Sequence, residues 1–133
     1  MTEHLEHVKL IAGYQVFWAH LKVAIRATSA FESEVLLAEQ GVDPYDGPLS
    51  YQSVASREEL NLATMDFDLV APKVIRTLTE GIFDKFDGWY DEVWSEDFPP
   101  LGSIKTDMLQ ELREDLLALT ESIHVVVNRD DAT

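Results

Sequence analysis

LIAGYQVFWAHLKVAIRATSAFESEVLLA, residues 10–38, decides the fold. Leu10, Tyr14, Phe17, Leu21, Ala24, Thr28, Phe31, Val35 and Ala38 step by four and three. That spacing holds one stripe on one side of an α-helix for about four heptads. Ile11, Trp18 and Ile25 add a second stripe beside it. The combined face is wider than a coiled-coil seam and suits a bundle core. Thr2 is placed to cap this helix, with Glu3 and Glu6 at its positive end and Gly41 as its stop. From Glu3 to Gln40 it would span about 57 Å. Thr28 and Ser29 mark a point where side chains competing for backbone hydrogen bonds would break it.

Outward from that helix, residues 41–55 (GVDPYDGPLSYQSVA) carry two glycines, two prolines and two tyrosines and read as one long loop. Ser56 and Glu59 then form a capping box that starts a helix through Leu60, Met65 and Phe67 toward Val70. Pro72 ends it. A third helix follows from about Pro72 to Trp94, with Val74, Leu78, Ile82, Phe86, Trp89 and Val93 on one face. Gly81 and Gly88 weaken it by about 1 kcal/mol each relative to alanine. Seven residues apart, they would share a face and admit a close neighbour; alternatively Asp87-Gly88 is a turn dividing two short helices. Phe98-Pro99-Pro100 is a break, and Ser103 is placed to cap the last helix. Leu109, Leu112, Leu116, Leu119, Ile123 and Val126 form its apolar stripe, and residues 128–133 read as a frayed polar tail. The expected fold is all-α, a single domain of about four bundled helices with a long first helix.

Composition narrows the chemistry. A chain of 133 residues with 46% apolar content has enough material for one domain with its own core. With no cysteine, disulfides, thiolate metal sites and thiol nucleophiles are excluded. The N-terminus shows no signal-peptide pattern and no apolar run has membrane-spanning length, so the expected compartment is cytoplasmic. The 25 acids and 10 Lys plus Arg give a formal charge of −15. Nucleic acid and anionic membranes are repelled, and basic protein surfaces are attracted. No glycine-rich phosphate loop or nucleophile elbow occurs, so neither an enzyme nor a cofactor is expected.

The acids concentrate in EGIFDKFDGWYDEVWSED, residues 80–97, where seven carboxylates meet one cation, Lys85. On a helix Glu80, Asp84, Asp87 and Asp91 fall within about 60° of one another. Ile82, Phe86, Trp89 and Val93 lie nearly opposite, and Phe83, Tyr90 and Trp94 form a third stripe between the two. Like charges three and four apart cost an isolated helix a few tenths of a kcal/mol per pair, which points to a partner. Glu80, Asp84, Asp87, Asp91, Phe83, Tyr90 and Trp94 are therefore the expected partner-binding residues. Carboxylates at i,i+4 lie about 6 Å apart, a charge density comparable with that of a DNA strand.

The expected function is that of a non-enzymatic acidic binding protein. By analogy it would be an inhibitor or immunity-type protein that occupies a basic, nucleic-acid-binding surface of a partner, as a nucleic-acid mimic. Two alternatives use the same residues differently. One is a homo-oligomeric structural or adaptor protein that pairs through the first helix, with Trp18 at the contact. The other is a metal-dependent hydrolase using Asp84 with Asp87, Asp87 with Asp91, or Glu111 with Glu114.

Overall fold

The computed structural model describes residues 2–37, 43–95 and 102–131. Four helices follow in order: α1 (Thr2–Leu37), α2 (Pro48–Val70), α3 (Lys73–Val93) and α4 (Gly102–Asp131). The described residues contain no strand, and the fold is an all-α bundle.

Cross-helix contacts set the topology. Phe17 meets Phe67 and Thr28 meets Ser53, so α1 and α2 are antiparallel. Lys85 meets Asp115 and Lys105 lies over Trp89, so α3 and α4 are antiparallel. Tyr14 with Thr120, and Glu32 with Lys105, give the same sense for α1 and α4. The result is an up-down-up-down bundle. The pairs α1–α2 and α3–α4 are the most closely packed. Helices α1 and α3 touch across the middle, while α2 and α4 lie apart on the longer diagonal.

The core is the stripe pattern made solid. Leu10, Phe17, Leu21, Ala24 and Phe31 of α1 are buried against Leu60 and Phe67 of α2 and Ile82, Phe86 and Trp89 of α3. Met108, Leu112, Leu119 and Ile123 close it from α4. Gly13 lets α1 and α2 approach: a Cβ there would sit 3.2 Å from the Phe67 ring.

Several boundaries differ from the sequence pattern. Helix α2 begins at Pro48, eight residues before Ser56. Asp43 to Asp46 form a turn, with the Tyr45 N–H donating to Asp43 Oδ1 at 2.9 Å. Gly47 then precedes the helix, and Pro48 takes its first position, where a missing N–H costs nothing. Glycine and proline here mark a helix start rather than a loop. Ser56 is consequently not a cap; it is buried in mid-helix, and its hydroxyl donates to the Ser53 carbonyl at 2.9 Å. Helix α1 continues through Thr28, whose hydroxyl bonds to Ser53 Oγ at 2.8 Å across the α1–α2 seam instead of breaking the helix.

Helix α3 is continuous through Gly81 and Gly88. No neighbour comes close to either: a Cβ at each would meet nothing within 4 Å among the described residues. Its core register is Ile75, Thr79, Ile82, Phe86, Trp89 and Val93, which leaves Val74 exposed. Thr2 and Ser103 both lie inside helices, not ahead of them, and α4 runs through Asp131 into the expected tail. The expected stop at Gly41 and break at Phe98-Pro99-Pro100 lie outside the described residues.

Candidate interaction face

The register of α3 turns its acidic stripe away from the core. Because Ile82, Phe86 and Trp89 must face inward, Glu80, Asp84 and Asp91 project into solvent. None of these three makes an ion pair among the described residues.

Asp87 is different. Arg57 of α2 reaches across the seam, with its Nε 2.6 Å from Asp87 Oδ1. The same guanidinium lies 5.7 Å from the Phe83 ring centre and 5.2 Å from that of Tyr90. The hydrogen bond to Asp87 holds the guanidinium's pKa above its usual value, against the opposing effect of burial. Burial pushes the Tyr90 phenol up as well, and Arg57 partly offsets this. Phe83 and Tyr90 thus form a slot filled by Arg57.

Trp94 is also engaged within the fold. It follows the last turn of α3, where its N–H donates to the Tyr90 carbonyl at 3.0 Å. Its ring lies 4.7 Å from Phe31, 5.6 Å from Tyr45 and 5.9 Å from Tyr90. Of the seven residues the sequence singles out, the structure therefore leaves three carboxylates fully outward and ties the other four into the bundle.

Sequence reasoning missed how far the acidic face extends. On the α4 side, Asp84 shares a shallow cleft with Asp107 and Glu111. Glu114 continues the patch along α4 beside Asp107 and Glu111. Lys85 spans this seam, with its Nζ 2.6 Å from Asp115 Oδ2. That hydrogen bond, with Glu111 and Glu114 nearby, holds its pKa above the usual lysine value. On the α2 side, Glu58 is exposed, and its charge adds slightly to the upward push on the Tyr90 phenol. The acidic surface thus spans three helices, with Arg57 and Lys85 pinned into its two seams. The pairing of α3 with both neighbours joins these acids, and periodicity within one helix cannot reveal it.

Among the described residues no group of three or more histidines or acids is placed to hold a metal ion. The ammonium of Lys85 already lies among the α4 carboxylates that a cation there would use. No helix among the described residues is long and apolar enough to cross a membrane. No protein-family model, no curated protein and no solved structure matches the chain.

Proposed function

We propose that this chain is a non-enzymatic binding protein whose acidic α2–α3–α4 face engages a basic protein surface. The observation that carries the reading is the exposure of Glu80, Asp84 and Asp91 on a rigid helix, without a cation partner among the described residues. Asp107, Glu111 and Glu114 extend the same sign of charge alongside. Carboxylates held about 6 Å apart along a helix repeat charge at a density comparable with a phosphate backbone. A nucleic-acid-handling enzyme has the complementary groove, and a protein filling it would act as an inhibitor or immunity-type antagonist. The aromatic residues contribute by stiffening the face: Phe83 and Tyr90 hold Arg57, and Arg57 holds α2 against α3.

The test starts with affinity capture from the native host and mass spectrometry, followed by kinetics on the recovered partner. Association should be fast at low ionic strength and slow steeply as salt is added. Glu80→Gln, Asp84→Asn and Asp91→Asn together should slow association by about tenfold while dissociation changes little. Asp87 is left intact because it serves the Arg57 bridge. Association that ignores both salt and this triple variant would refute the reading.

A further inference from the structure

Helices α1 and α4 are neighbours in the bundle, yet they meet less closely than any other touching pair. Between them lies an apolar cleft of about 500 Å³, floored by Trp18, Ile25, Leu109, Leu112 and Leu116 and edged by Leu117. That volume and that lining are those of a small-molecule site, in which a few polar groups fix the ligand's orientation. A hydrogen bond crosses the seam at one end. Tyr14 Oη lies 2.8 Å from Thr120 Oγ1, and Thr120 gives its own proton to the Leu116 carbonyl, also at 2.8 Å, so Tyr14 is the donor across the seam. Beyond this bridge the seam reopens as a second cleft of about 260 Å³, lined by Ile11, Ile123 and Val127. From Tyr14 to Ile25 the larger cleft runs about 16 Å along α1.

The polar groups of the cleft select the charge of its ligand. Both hydroxyls of the bridge have spent their protons and offer a ligand no donor. Arg113 is the one charged side chain that lines the cleft. Its neighbours three and four residues away on α4 are Leu109, Gln110, Leu116 and Leu117, so its own helix supplies no acid. Lys22 Nζ stands beside it, 5.4 Å from the centre of the Trp18 ring. Neither cation makes an ion pair among the described residues, in a chain with 25 acids. No acid lines either α1–α4 cleft, whereas Asp66 lines the α1–α2 cleft and Asp84, Asp107 and Glu111 line the α3–α4 cleft. Glu114 and Glu121 flank Leu117 on α4, exposed, and neither lines the cleft. The −15 charge of the whole chain is screened over about 10 Å at 0.1 M salt, while direct contact with a guanidinium is not. An apolar slot with two such cations and no acid therefore fits an apolar chain that ends in an anion.

We propose that the α1–α4 cleft binds a medium-chain aliphatic carboxylate, with its chain along the floor and its head on Arg113. The planar fork of the guanidinium matches a carboxylate. Lys22 adds a second positive charge nearby. Each methylene taken from water into the cleft tightens binding by up to about fourfold. The Tyr14–Thr120 bridge bounds the cleft, so the gain stops once the chain outgrows the space. The site shares no residue with the acidic face of α3 and does not depend on a partner there.

The experiment titrates the full chain with hexanoate, octanoate, decanoate and dodecanoate, read by calorimetry and by the indole N–H resonances in NMR. Binding should saturate at one equivalent, tighten by up to about fourfold per methylene and level off at the longer chains. Of the three tryptophans only Trp18 lines the cleft, so its resonance, assigned with Trp18→Phe, should move most. Decanol has the same chain without the charge and should bind about fivefold more weakly than decanoate, the scale of a charged hydrogen bond at an exposed site. Arg113→Gln should bring decanoate down to the decanol value and leave decanol unchanged. Leu117→Glu places a carboxylate four residues from Arg113 and should weaken decanoate by a similar factor. Both positions are exposed, so helical circular dichroism should stay intact in both variants. Uptake of several equivalents without saturation, or decanoate binding unchanged in both variants, would mean adsorption to the surface and overturn the proposal. Equal affinity for decanol and decanoate, or no binding of any chain, would overturn it too.

Discussion

Glu32 is the point at which the bundle is most open to a decisive test. The residue is 4% exposed, near the end of the bundle where α1 and α3 finish and α4 begins. The Trp89 Nε1–H donates to Glu32 Oε2 at 2.8 Å, and Lys105 Nζ lies 3.9 Å from Oε1. Lys105 also sits 5.9 Å from the Trp89 ring centre. One carboxylate therefore joins α1, α3 and α4. Trp89→Phe removes the donor and leaves a buried charge with a single longer contact. A hydrogen bond to a charged group contributes about 1.5–3 kcal/mol. The smaller ring adds a cavity cost of about 1 kcal/mol. The expected loss is then about 3 kcal/mol, against a total stability of about 5–15 kcal/mol for a domain. At this chain length that lowers Tm by about 10 °C.

Glu32→Gln keeps an oxygen for the indole and gives up the attraction to Lys105, for an expected loss of about 1 kcal/mol. Urea denaturation followed by far-ultraviolet circular dichroism measures both variants without relying on tryptophan fluorescence. In the Glu32→Gln background Trp89→Phe should cost less, with a coupling of about 1 kcal/mol in the double-mutant cycle. Costs that add to within about 0.3 kcal/mol would show that the two residues do not act through each other. So would a Trp89→Phe variant as stable as the parent.

Arg57→Met keeps an apolar stem between Phe83 and Tyr90 but removes the guanidinium. It should lower stability by about 1 kcal/mol in urea denaturation and, by freeing Asp87, speed association with a basic partner. Burial, helped by Glu80 and opposed by Arg76, holds the Asp68 carboxyl above its ordinary pKa. A raised folded value means stability that is present below the unfolded pKa of about 3.9 and lost as pH rises through the folded value. Asp68→Asn should therefore raise Tm at neutral pH, with the gain vanishing by about pH 4; a gain that grows in acid would contradict that sign. Gly81→Ala and Gly88→Ala each place a methyl where nothing lies within 4 Å among the described residues. Each should stabilise by about 0.5–1 kcal/mol, or about 2–4 °C in Tm. A lowered Tm in either variant would mean that the space is occupied.

The fold was legible because its signal repeats. Stripes at helical spacing marked α1, α3 and α4, and their centres reappear in the buried set as Leu10, Phe17, Leu21, Ala24, Thr28 and Phe31 of α1 and Leu112, Leu119 and Ile123 of α4, while Tyr14, Val35, Leu109, Leu116 and Val126 are half-buried at the margins. What failed was local. Gly47-Pro48 is ambiguous by itself, since the same pair breaks a helix or begins one. Only the burial of Ser50, Ser53 and Ser56 against α1 decides between the two. Serine scores as a loop residue because its hydroxyl competes for the backbone. Here three hydroxyls are satisfied by Gly47, Thr28 and the Ser53 carbonyl, and small side chains suit a close helix pair. The acidic stripe was likewise legible as a stripe. Its two cross-helix clamps, Arg57 and Lys85, were not, because each pairs with an acid thirty positions away. Glu32 was invisible for the same reason: its Trp89 partner is fifty-seven positions away.

The ion pairs also explain why so acidic a chain holds together. Arg57 crosses the α2–α3 seam, Lys85 the α3–α4 seam and Lys105 the α4–α1 seam. Each lies partly shielded between helices, where screening by solvent is weaker than at an open surface. Attraction is thus concentrated inside the bundle, and the surplus of carboxylates is displaced to its outer faces. Lys22, Arg26 and Arg113, the cations on the α1–α4 side, are not needed for closure. Lys22 and Arg26 lie in the stretch from His7 to Phe31 that has no acid. The molecule is therefore polarised across its short diagonal, strongly negative outside α3 and acid-free along the middle of α1. In the field of a basic surface such a body turns α3 inward and α1 outward.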